Sequence, residues 1–422
     1  MAAGALSTLR IPAFRWLFSS NIAFFLAMNG QMIVRGWLAW ELTKSEFALG
    51  QIGFAVALPM LFIAPLGGVI ADRFERRNLI VAGQATLIAG EAALWGLLVS
   101  GLLEFWHLLA LAMMMGCVFP FIMPARQAIV VTVVGKEGLP NAMALSMAGM
   151  NTTRVVGPAI AGYLIWALGI AGAYLVSIAL YAVALLCMLR IERSEPHAQA
   201  RDRTILGSML EGAQYIASHR VVLVLLFFGL VPMFLAMPFQ TLLVVFADDV
   251  WDVGTRGFGL LNAAGGVGGV AGSMYVAWSS TGNNRLRKMM FSMLGFGGFL
   301  LAFAASPYFG LAVILVFAAN IFASIYSTLN NTAIQLLIPN EVRGRISSFL
   351  MMSFSLPLLG ALPMSAVAEA YGARTAVTIA AVLAIVIVLI FYVSSRALRA
   401  MDAHVESALA EDSGQPSFAL PR

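Results

Sequence analysis

Charged side chains are scarce in this sequence, and their scarcity decides the class of protein. Of 422 residues, 11% are charged and 61% are hydrophobic, whereas ordinary soluble domains carry about 25% charged and about 45–50% apolar residues. A soluble protein of this length could not cover so much apolar surface with polar groups. The apolar stretches reach about 20 residues without polar alternation, which favours membrane-spanning helices over a β-barrel. We therefore predict an all-α integral membrane protein.

Residues that bind metals or carry redox chemistry are also few. The two cysteines lie in apolar stretches and the four histidines are scattered, so neither set has the spacing of a metal or redox site. A Walker-type phosphate loop (G-x-x-x-x-G-K-[ST]) is absent from the sequence, which argues against direct ATP drive. We expect no enzymatic activity, no metal and no cofactor.

Apolar runs between polar breaks predict twelve spans. The basic residues of the loops and termini fall mostly on one side: twenty lie on the side of the N-terminus and three, Lys44, Arg256 and Arg374, on the other. This asymmetry places both termini in the cytoplasm and explains the net charge of +5 without nucleic-acid binding. The predicted location is the cell inner membrane, with spans at 14–40, 47–71, 78–100, 106–126, 140–168, 170–190, 220–247, 257–280, 287–305, 307–335, 346–369 and 373–395.

A polar interval at 191–219 divides the chain into two halves. We predict an N-terminal six-helix bundle (1–190), a cytoplasmic linker with a surface helix (191–219), a C-terminal six-helix bundle (220–399) and a cytoplasmic tail (400–422). The segments 124–147 and 330–352 share an Ala-Ile start, a charged turn and a Met-rich helix. An offset of half a chain indicates an internal repeat.

The loop GGVIADRFERRNLI (67–80) carries the strongest motif. It resembles the signature G-x-x-x-D-R-x-G-R-R of the major facilitator superfamily, with Glu75 at the position where a second glycine is common. The resemblance implies twelve helices in two pseudo-symmetric six-helix bundles and makes this loop a gating latch. The alternative is that its arginines only keep the loop on the cytoplasmic side of the membrane. The matching residues are Gly68, Asp72, Arg73, Arg76 and Arg77.

The fifth span carries NTTRVVGPAIAGYL (151–164), which is similar to the helix-five motif of exporters (G-x-x-x-G-P-x-x-G-G). Thr153 and Ala161 replace two of its glycines, and a packing kink is the alternative interpretation. The stretches 37–73 and 338–349 look like the facilitator subgroup that holds enterobactin and macrolide exporters. The candidate residues of this motif are Arg154, Gly157, Pro158 and Gly162.

Ionisable side chains of the predicted spans are candidate functional residues. The ones singled out are Arg35, Glu91, Arg126, Arg154 and Glu369, the last at the end of the eleventh span. In the functional interpretation, Arg35 or Arg126 contacts an anionic substrate and Glu91 carries the coupling proton. In the structural interpretation, Arg126 and Arg154 join helix ends, and Glu91 reaches lipid headgroups from a helix surface. We expect Glu91 or an acidic loop residue to neutralise one arginine.

Polar amides lie on spans that line the central cavity in this family. They suggest a partly wet pathway, although some must join helices. We expect proton-driven export of an amphipathic small molecule (a drug, a siderophore or similar) by alternating access. Uptake or lysolipid flipping is the alternative among transport functions. A membrane sensor that transports nothing is the alternative from a different functional class. We expect a monomer whose partners are lipids, substrate and protons; the pathway amides are Gln31, Asn262, Asn330 and Asn331.

Overall fold

The computed structural model describes residues 5–192, 214, 217–279, 284–338, 355–403 and 405. Side chains are described at all of these positions except 5–7, 65–69, 71–73, 136, 137, 220 and 397. Within these ranges the chain is helical and contains no strand. Helices pair the backbone groups of their interior within the segment, which a bilayer requires of a spanning segment.

Ten helical stretches in the described ranges are long and apolar enough to cross a membrane. One of them, Gly138–Leu189, is broken at Gly169 and covers two predicted spans, and one further apolar helix, Leu356–Tyr371, is shorter. The helices are numbered here α1 to α12: Pro12–Thr43, Glu46–Arg73, Arg76–Val99, Phe105–Gly135, 138–168, 170–189, Val221–Val250, Gly254–Ser279, Arg285–Ala305, Phe309–Leu337, Leu356–Tyr371 and Ala373–Ser394.

Two glycines divide a helical run of 85 residues, Phe105–Leu189, into α4, α5 and α6. Gly135 has φ 70° and ψ 179°, and Gly169 has φ 72° and ψ 174°. Residues with a Cβ rarely adopt this conformation, so glycine fits both positions. The breaks fall where the sequence predicts that spans four, five and six are separated.

The helices form two compact units, and the first comprises Met1–Ile205 and Thr241–Ala263. In this unit α1, α2 and α3 pack against the run Phe105–Leu189. A buried apolar cluster at one end includes Phe14 of α1, Ile80 of α3, Ile129 of α4 and Met188 of α6. The contacts therefore assign Thr241–Ala263 to the first unit, although the polar interval of the sequence lies at 191–219.

The second unit comprises Leu206–Gln240 and Ala264–Arg422. Its helices pack in the pairs α9–α10, α9–α12, α11–α12, α7–α11, α7–α12 and α7–α10. The ring of Phe239 meets those of Phe296 and Phe303 edge to face, at centroid distances of 6.5 and 5.9 Å. Such aromatic contacts give the interior of this unit a fixed packing geometry.

Candidate functional site

One face of α3 points into the first unit and carries a carboxyl group. Its buried residues, Ile80, Gln84, Leu87, Glu91 and Leu94, recur at the spacing of a single helix face. Glu91 is 1% exposed, and neither of its carboxyl oxygens accepts a hydrogen bond from a described residue. The carboxyl group therefore lies in the interior of the unit, away from the lipid headgroups.

Side chains of α1 and α6 lie near this carboxyl group. Arg35, Tyr174 and Tyr181 are within electrostatic range of Glu91. Both tyrosine hydroxyls are buried and have no hydrogen-bond partner among the described residues. The structure thus brings together two of the sequence-predicted residues, Arg35 and Glu91, and adds two tyrosines that sequence reasoning missed.

Arg35 is buried on α1 but forms no ion pair within 4 Å in the described part of the chain. Its Nε donates to the carbonyl oxygen of Gln31 at 3.4 Å, and its Nη1 contacts the sulfur of Met115. The side-chain amide of Gln31 is fully buried, and neither of its polar atoms has a described partner. Arg35 is therefore close to Glu91 without being neutralised by direct contact.

Arg126 is buried inside α4, where it packs against α1. Its Nη1 donates to Oδ1 of Asn21, and its guanidinium carbon lies 4.1 Å from the centre of the Phe24 ring. Its Nε and Nη2 find no acceptor in the described chain. Cation–π contact stabilises the charge only partly, so Arg126 keeps N–H donors available in the interior of the unit.

The glycines of the helix-five motif lie at two close helix crossings. A Cβ at Gly157 would lie 2.9 Å from Cβ of Asn29 on α1, and a Cβ at Gly162 would lie 2.5 Å from the carbonyl oxygen of Thr255 on α8. The helix continues through Pro158, whereas Arg154 is exposed. The motif therefore sets how closely α5 approaches α1 and α8.

The predicted latch is only partly within the described side chains. The backbone of α2 continues to Arg73, but the side chains of Gly68, Asp72 and Arg73 lie outside the described part. Arg76 donates to the carbonyl oxygen of Ala128 and the hydroxyl of Thr132 on α4, at 3.3 and 3.0 Å. The role of the latch in gating stays a prediction.

The third latch arginine, Arg77, is bound at the end of α6. Its Nη2 donates to the carbonyl oxygen of Leu189 at 2.8 Å, and its Nε donates to that of Met188 at 3.4 Å. The last carbonyl groups of a helix have no partner within the helix and attract a cation. Arg77 thus caps α6 and joins α3 to it.

A charged contact at the ends of α1 and α7 was not predicted from the sequence. The ammonium group of Lys44 lies 2.6 Å from Oδ2 of Asp248, which also accepts a hydrogen bond from Nε1 of Trp40 at 2.7 Å. Asp248 belongs to a π-helical turn, Phe246–Val250, and such turns are frequent at functional sites. This contact holds the segment Thr241–Ala263 against α1 within the first unit.

The second unit contains a cavity of about 300 Å³ between α7, α10 and Phe296 of α9. None of the described residues that line it is charged, and the predicted amides Asn330 and Asn331 are among them. Asn330 is 5% exposed, and its Oδ1 accepts no hydrogen bond from a described residue. The lining includes Phe227, Met233, Met237, Tyr326 and Ser327.

The fourth predicted amide, Asn262, lies on α8 in the first unit. Its Nδ2 donates to the carbonyl oxygen of Phe258, one turn earlier in the same helix, at 2.9 Å. It does not line the cavity of the second unit. The structure therefore distributes the predicted pathway amides over different places rather than gathering them at one.

Residues 3–418 match the profile of a major facilitator family described as "Transmembrane secretion effector". The chain belongs to the major facilitator superfamily. The predicted family and the all-α fold class are confirmed. The protein is a multi-pass membrane transporter for a small molecule, not an enzyme, and it resides among membrane lipids.

Curated relatives of this transporter include the enterobactin exporter EntS of Shigella boydii serotype 18. It is 28% identical over 343 residues, which cover 80% of each chain. EntS of Escherichia coli O1:K1 is 27% identical over the same length. The chain therefore covers most of the length of these exporters.

Solved structures share the fold at low sequence identity. The nucleoside transporter NupG, as a D323A mutant, aligns with a TM-score of 0.74 at 14% identity, over 90% of this chain and 99% of that one. A bacterial homolog of the human lysosomal transporter Spinster aligns with a TM-score of 0.71 at 13% identity, over 99% of this chain and 100% of the other. These similarities support the fold and carry no information on substrate.

Proposed function

We propose that this transporter exports an amphipathic small molecule in exchange for protons, by alternating access. In this proposal it lies in the cell inner membrane as a monomer, with both termini in the cytoplasm. The observation that carries the proposal is the enclosed carboxyl group of Glu91, whose two oxygens have no hydrogen-bond donor among the described residues. Ionisable groups inside membrane spans are costly and mark proton or substrate pathways.

The charges near Glu91 suit a group that gains and loses a proton. When Glu91 is ionised, it attracts Arg35, which is within electrostatic range and has no ion-pair partner in the described chain. When Glu91 is protonated, that attraction disappears and Arg35 carries an uncompensated charge. Binding of one proton therefore changes the net charge of this interior by a full unit. This change shifts the free energies of two transporter conformations relative to each other.

The cavity of the second unit supports the substrate class. Its described lining is uncharged, and Met233 and Met237 can repack around apolar groups of different shapes. The amides Asn330 and Asn331 supply hydrogen bonds within this apolar surface. A small number of polar groups in an apolar pocket is typical of small-molecule sites.

The relatives support export as the direction and a siderophore as the substrate. The curated proteins described above are named as enterobactin exporters. The residues Gly157, Pro158 and Gly162 match the helix-five motif of exporters and lie at close helix crossings. An uptake carrier or a lysolipid flippase of the same fold is the competing proposal.

The test is substrate-induced proton movement in proteoliposomes that contain the purified full chain. The panel comprises cationic dyes, macrolides, catecholate siderophores and lysolipids, with an imposed proton gradient of either sign. We expect one compound class to move protons out of the compartment that it enters. Transport that proceeds equally without a proton gradient would contradict the coupling, and uptake in the direction of the proton gradient would favour the competing carrier.

Replacing Asn330 by Leu should weaken binding of the transported compound without unfolding the protein. A lost hydrogen bond corresponds to an affinity change of up to about tenfold. Leucine has a similar shape and removes a buried acceptor that has no described partner, so thermal stability should be kept or rise. Binding is measured by tryptophan fluorescence or calorimetry in detergent.

Asn320→Leu is the matched control for this substitution. Asn320 lies on the same helix, donates to the carbonyl oxygen of Val316 at 2.9 Å and does not line the cavity. We expect this variant to keep the affinity of the wild-type protein. Unchanged affinity in the Asn330 variant would exclude the cavity as the binding site.

A further inference from the structure

An exposed arginine is held between aromatic rings where α5 and α8 cross. The guanidinium carbon of Arg256 lies 3.1 Å from the centre of the Trp166 ring and 5.8 Å from that of Tyr163. The two rings are 5.5 Å apart, and each residue is 55% exposed. The rings fix the plane of the guanidinium group by cation–π stacking.

No described residue accepts a hydrogen bond from the N–H groups of Arg256. In the described part of the chain, its side chain donates no hydrogen bond, and no carboxylate lies within 4 Å of it. The other two basic residues that the sequence places on the side opposite the N-terminus do have partners. Lys44 pairs with Asp248, and Arg374 donates to the carbonyl oxygen of Ser306 at 3.4 Å.

The cluster lies near the ends of membrane-spanning helices. Trp166 is three residues before Gly169, where α5 ends, and Arg256 is in the first turn of α8, Gly254–Ser279. Aromatic residues concentrate at this depth, where lipid headgroups meet the hydrocarbon layer. The backbone crossing of Gly162 and Gly259 lies one turn from both side chains and keeps them together.

An apolar stripe leads away from the cluster along α5. Val156, Ile160 and Tyr163 are exposed and follow one another at one-turn spacing, and Leu260 is exposed one turn beyond Arg256 on α8. Apolar side chains that are exposed on a membrane-spanning helix are available for contact with lipid tails. The stripe therefore offers a lipid chain a path that begins beside an unpaired cation.

The geometry points to a binding site for one membrane phospholipid, with its phosphate on Arg256 and an acyl chain along the stripe of Val156, Ile160 and Tyr163. The planar N–H fork of arginine matches the oxygen atoms of a phosphate group. Because no described carboxylate neutralises Arg256, an anionic lipid such as phosphatidylglycerol fits better than a zwitterionic one. The lipid would bridge α5 and α8 at their crossing. This site is independent of the transported substrate.

The test measures lipid retention by the purified, delipidated full chain in detergent, by native mass spectrometry with dioleoyl phosphatidylglycerol. The wild-type protein should retain one lipid in preference to others, and Arg256→Gln should weaken its apparent affinity by about tenfold. Arg374→Gln, at another exposed arginine, is the control and should bind as the wild type does. Equal retention by the wild type and Arg256→Gln would overturn the site, and so would equal losses in both arginine variants.

Two further arms separate a lipid site from a general anion site. Ile160→Gln keeps the cation and should weaken retention, because the acyl chain loses apolar contact. Excess inorganic phosphate should leave the lipid in place, and displacement of the lipid by phosphate would overturn the acyl-chain contact. Thermal unfolding without added lipid checks that each variant is folded. Should Arg256→Gln fail to fold, Trp166→Leu makes the same test by removing the stacked ring.

Discussion

Replacing Glu91 by Gln should reduce substrate-induced proton movement to the level of protein-free liposomes. Glutamine keeps the size and polarity of the side chain but carries no charge in either conformation. Substrate binding and exchange of substrate down its own gradient should persist, because neither requires the proton. The measurement is proton flux and substrate counterflow in the same proteoliposomes.

The control for this prediction is Glu41→Gln, an identical change at a different kind of carboxyl group. Glu41 is exposed on α1 and accepts a hydrogen bond from Nε1 of Trp37 at 3.2 Å. Because Glu41 is exposed and its partner is uncharged, its protonation should have little effect on the charged groups in the interior of the unit. We expect proton flux close to that of the wild-type protein in this variant.

Two outcomes would be informative in opposite ways. If the Glu91 variant moves protons normally, Glu91 does not carry the coupling proton. The main observation in favour of proton-coupled export then no longer supports it. If both proton flux and counterflow are lost while the protein is folded, Glu91 is required for substrate passage itself. Only the loss of flux with persistent counterflow supports a proton-carrying role.

Much of the fold follows from the sequence because its signals are local. The scarcity of charge, the apolar runs and the sorted loop arginines each concern neighbouring residues, and they predict the helices that the structure contains. The buried face of α3 is also local: Ile80, Gln84, Leu87 and Glu91 follow the period of a helix. Helical spacing alone could have placed Glu91 in the interior.

The contacts between distant segments could not be predicted in this way. Lys44 and Asp248 are 204 residues apart, and the sequence shows only one basic and one acidic residue near span ends. The same holds for Trp166 and Arg256. Such pairs depend on how helices cross, and a single sequence carries no periodic pattern that identifies the partner.

The helix-five motif combines a local feature that the sequence predicts with distant contacts that it does not predict. Glycines at 157 and 162 predict close packing of α5, which the structure contains, but not which helices approach. Gly157 meets α1 and Gly162 meets α8. Only the second contact joins α5 to the segment Thr241–Ala263, which the sequence assigns to the other half of the chain.

Replacing Gly162 by Ala should therefore impair transport more than any other single methyl group added to this motif. The added Cβ would lie 2.5 Å from the carbonyl oxygen of Thr255 and 2.9 Å from Cα of Gly259. Both are backbone atoms, so no side-chain rotation can relieve the clash and the helices must separate. Overpacking of this kind costs about 1–3 kcal/mol. We expect a lower transport rate and a lower thermal midpoint in detergent.

The segment that carries Gly259 has little freedom to retreat, because other contacts fix it to α1. Asp248 is bound by Lys44 and Trp40, and the ring of Phe258 lies 6.2 Å from that of Trp37. The strain of an alanine at 162 must therefore be taken up at the crossing itself. This is why a substitution that is usually mild in a helix should have a large effect here.

Alanine substitutions at two other glycines should impair transport and stability less than Gly162→Ala does. A Cβ at Gly96 would meet nothing within 4 Å, so Gly96→Ala should keep transport and gain up to about 1 kcal/mol from helix propensity. A Cβ at Gly157 would meet Cβ of Asn29 at 2.9 Å, a longer approach than the 2.5 Å at Gly162, so that variant should fall between the other two. If Gly162→Ala behaves like Gly96→Ala in both transport and stability, the crossing of α5 and α8 does not limit the transport cycle.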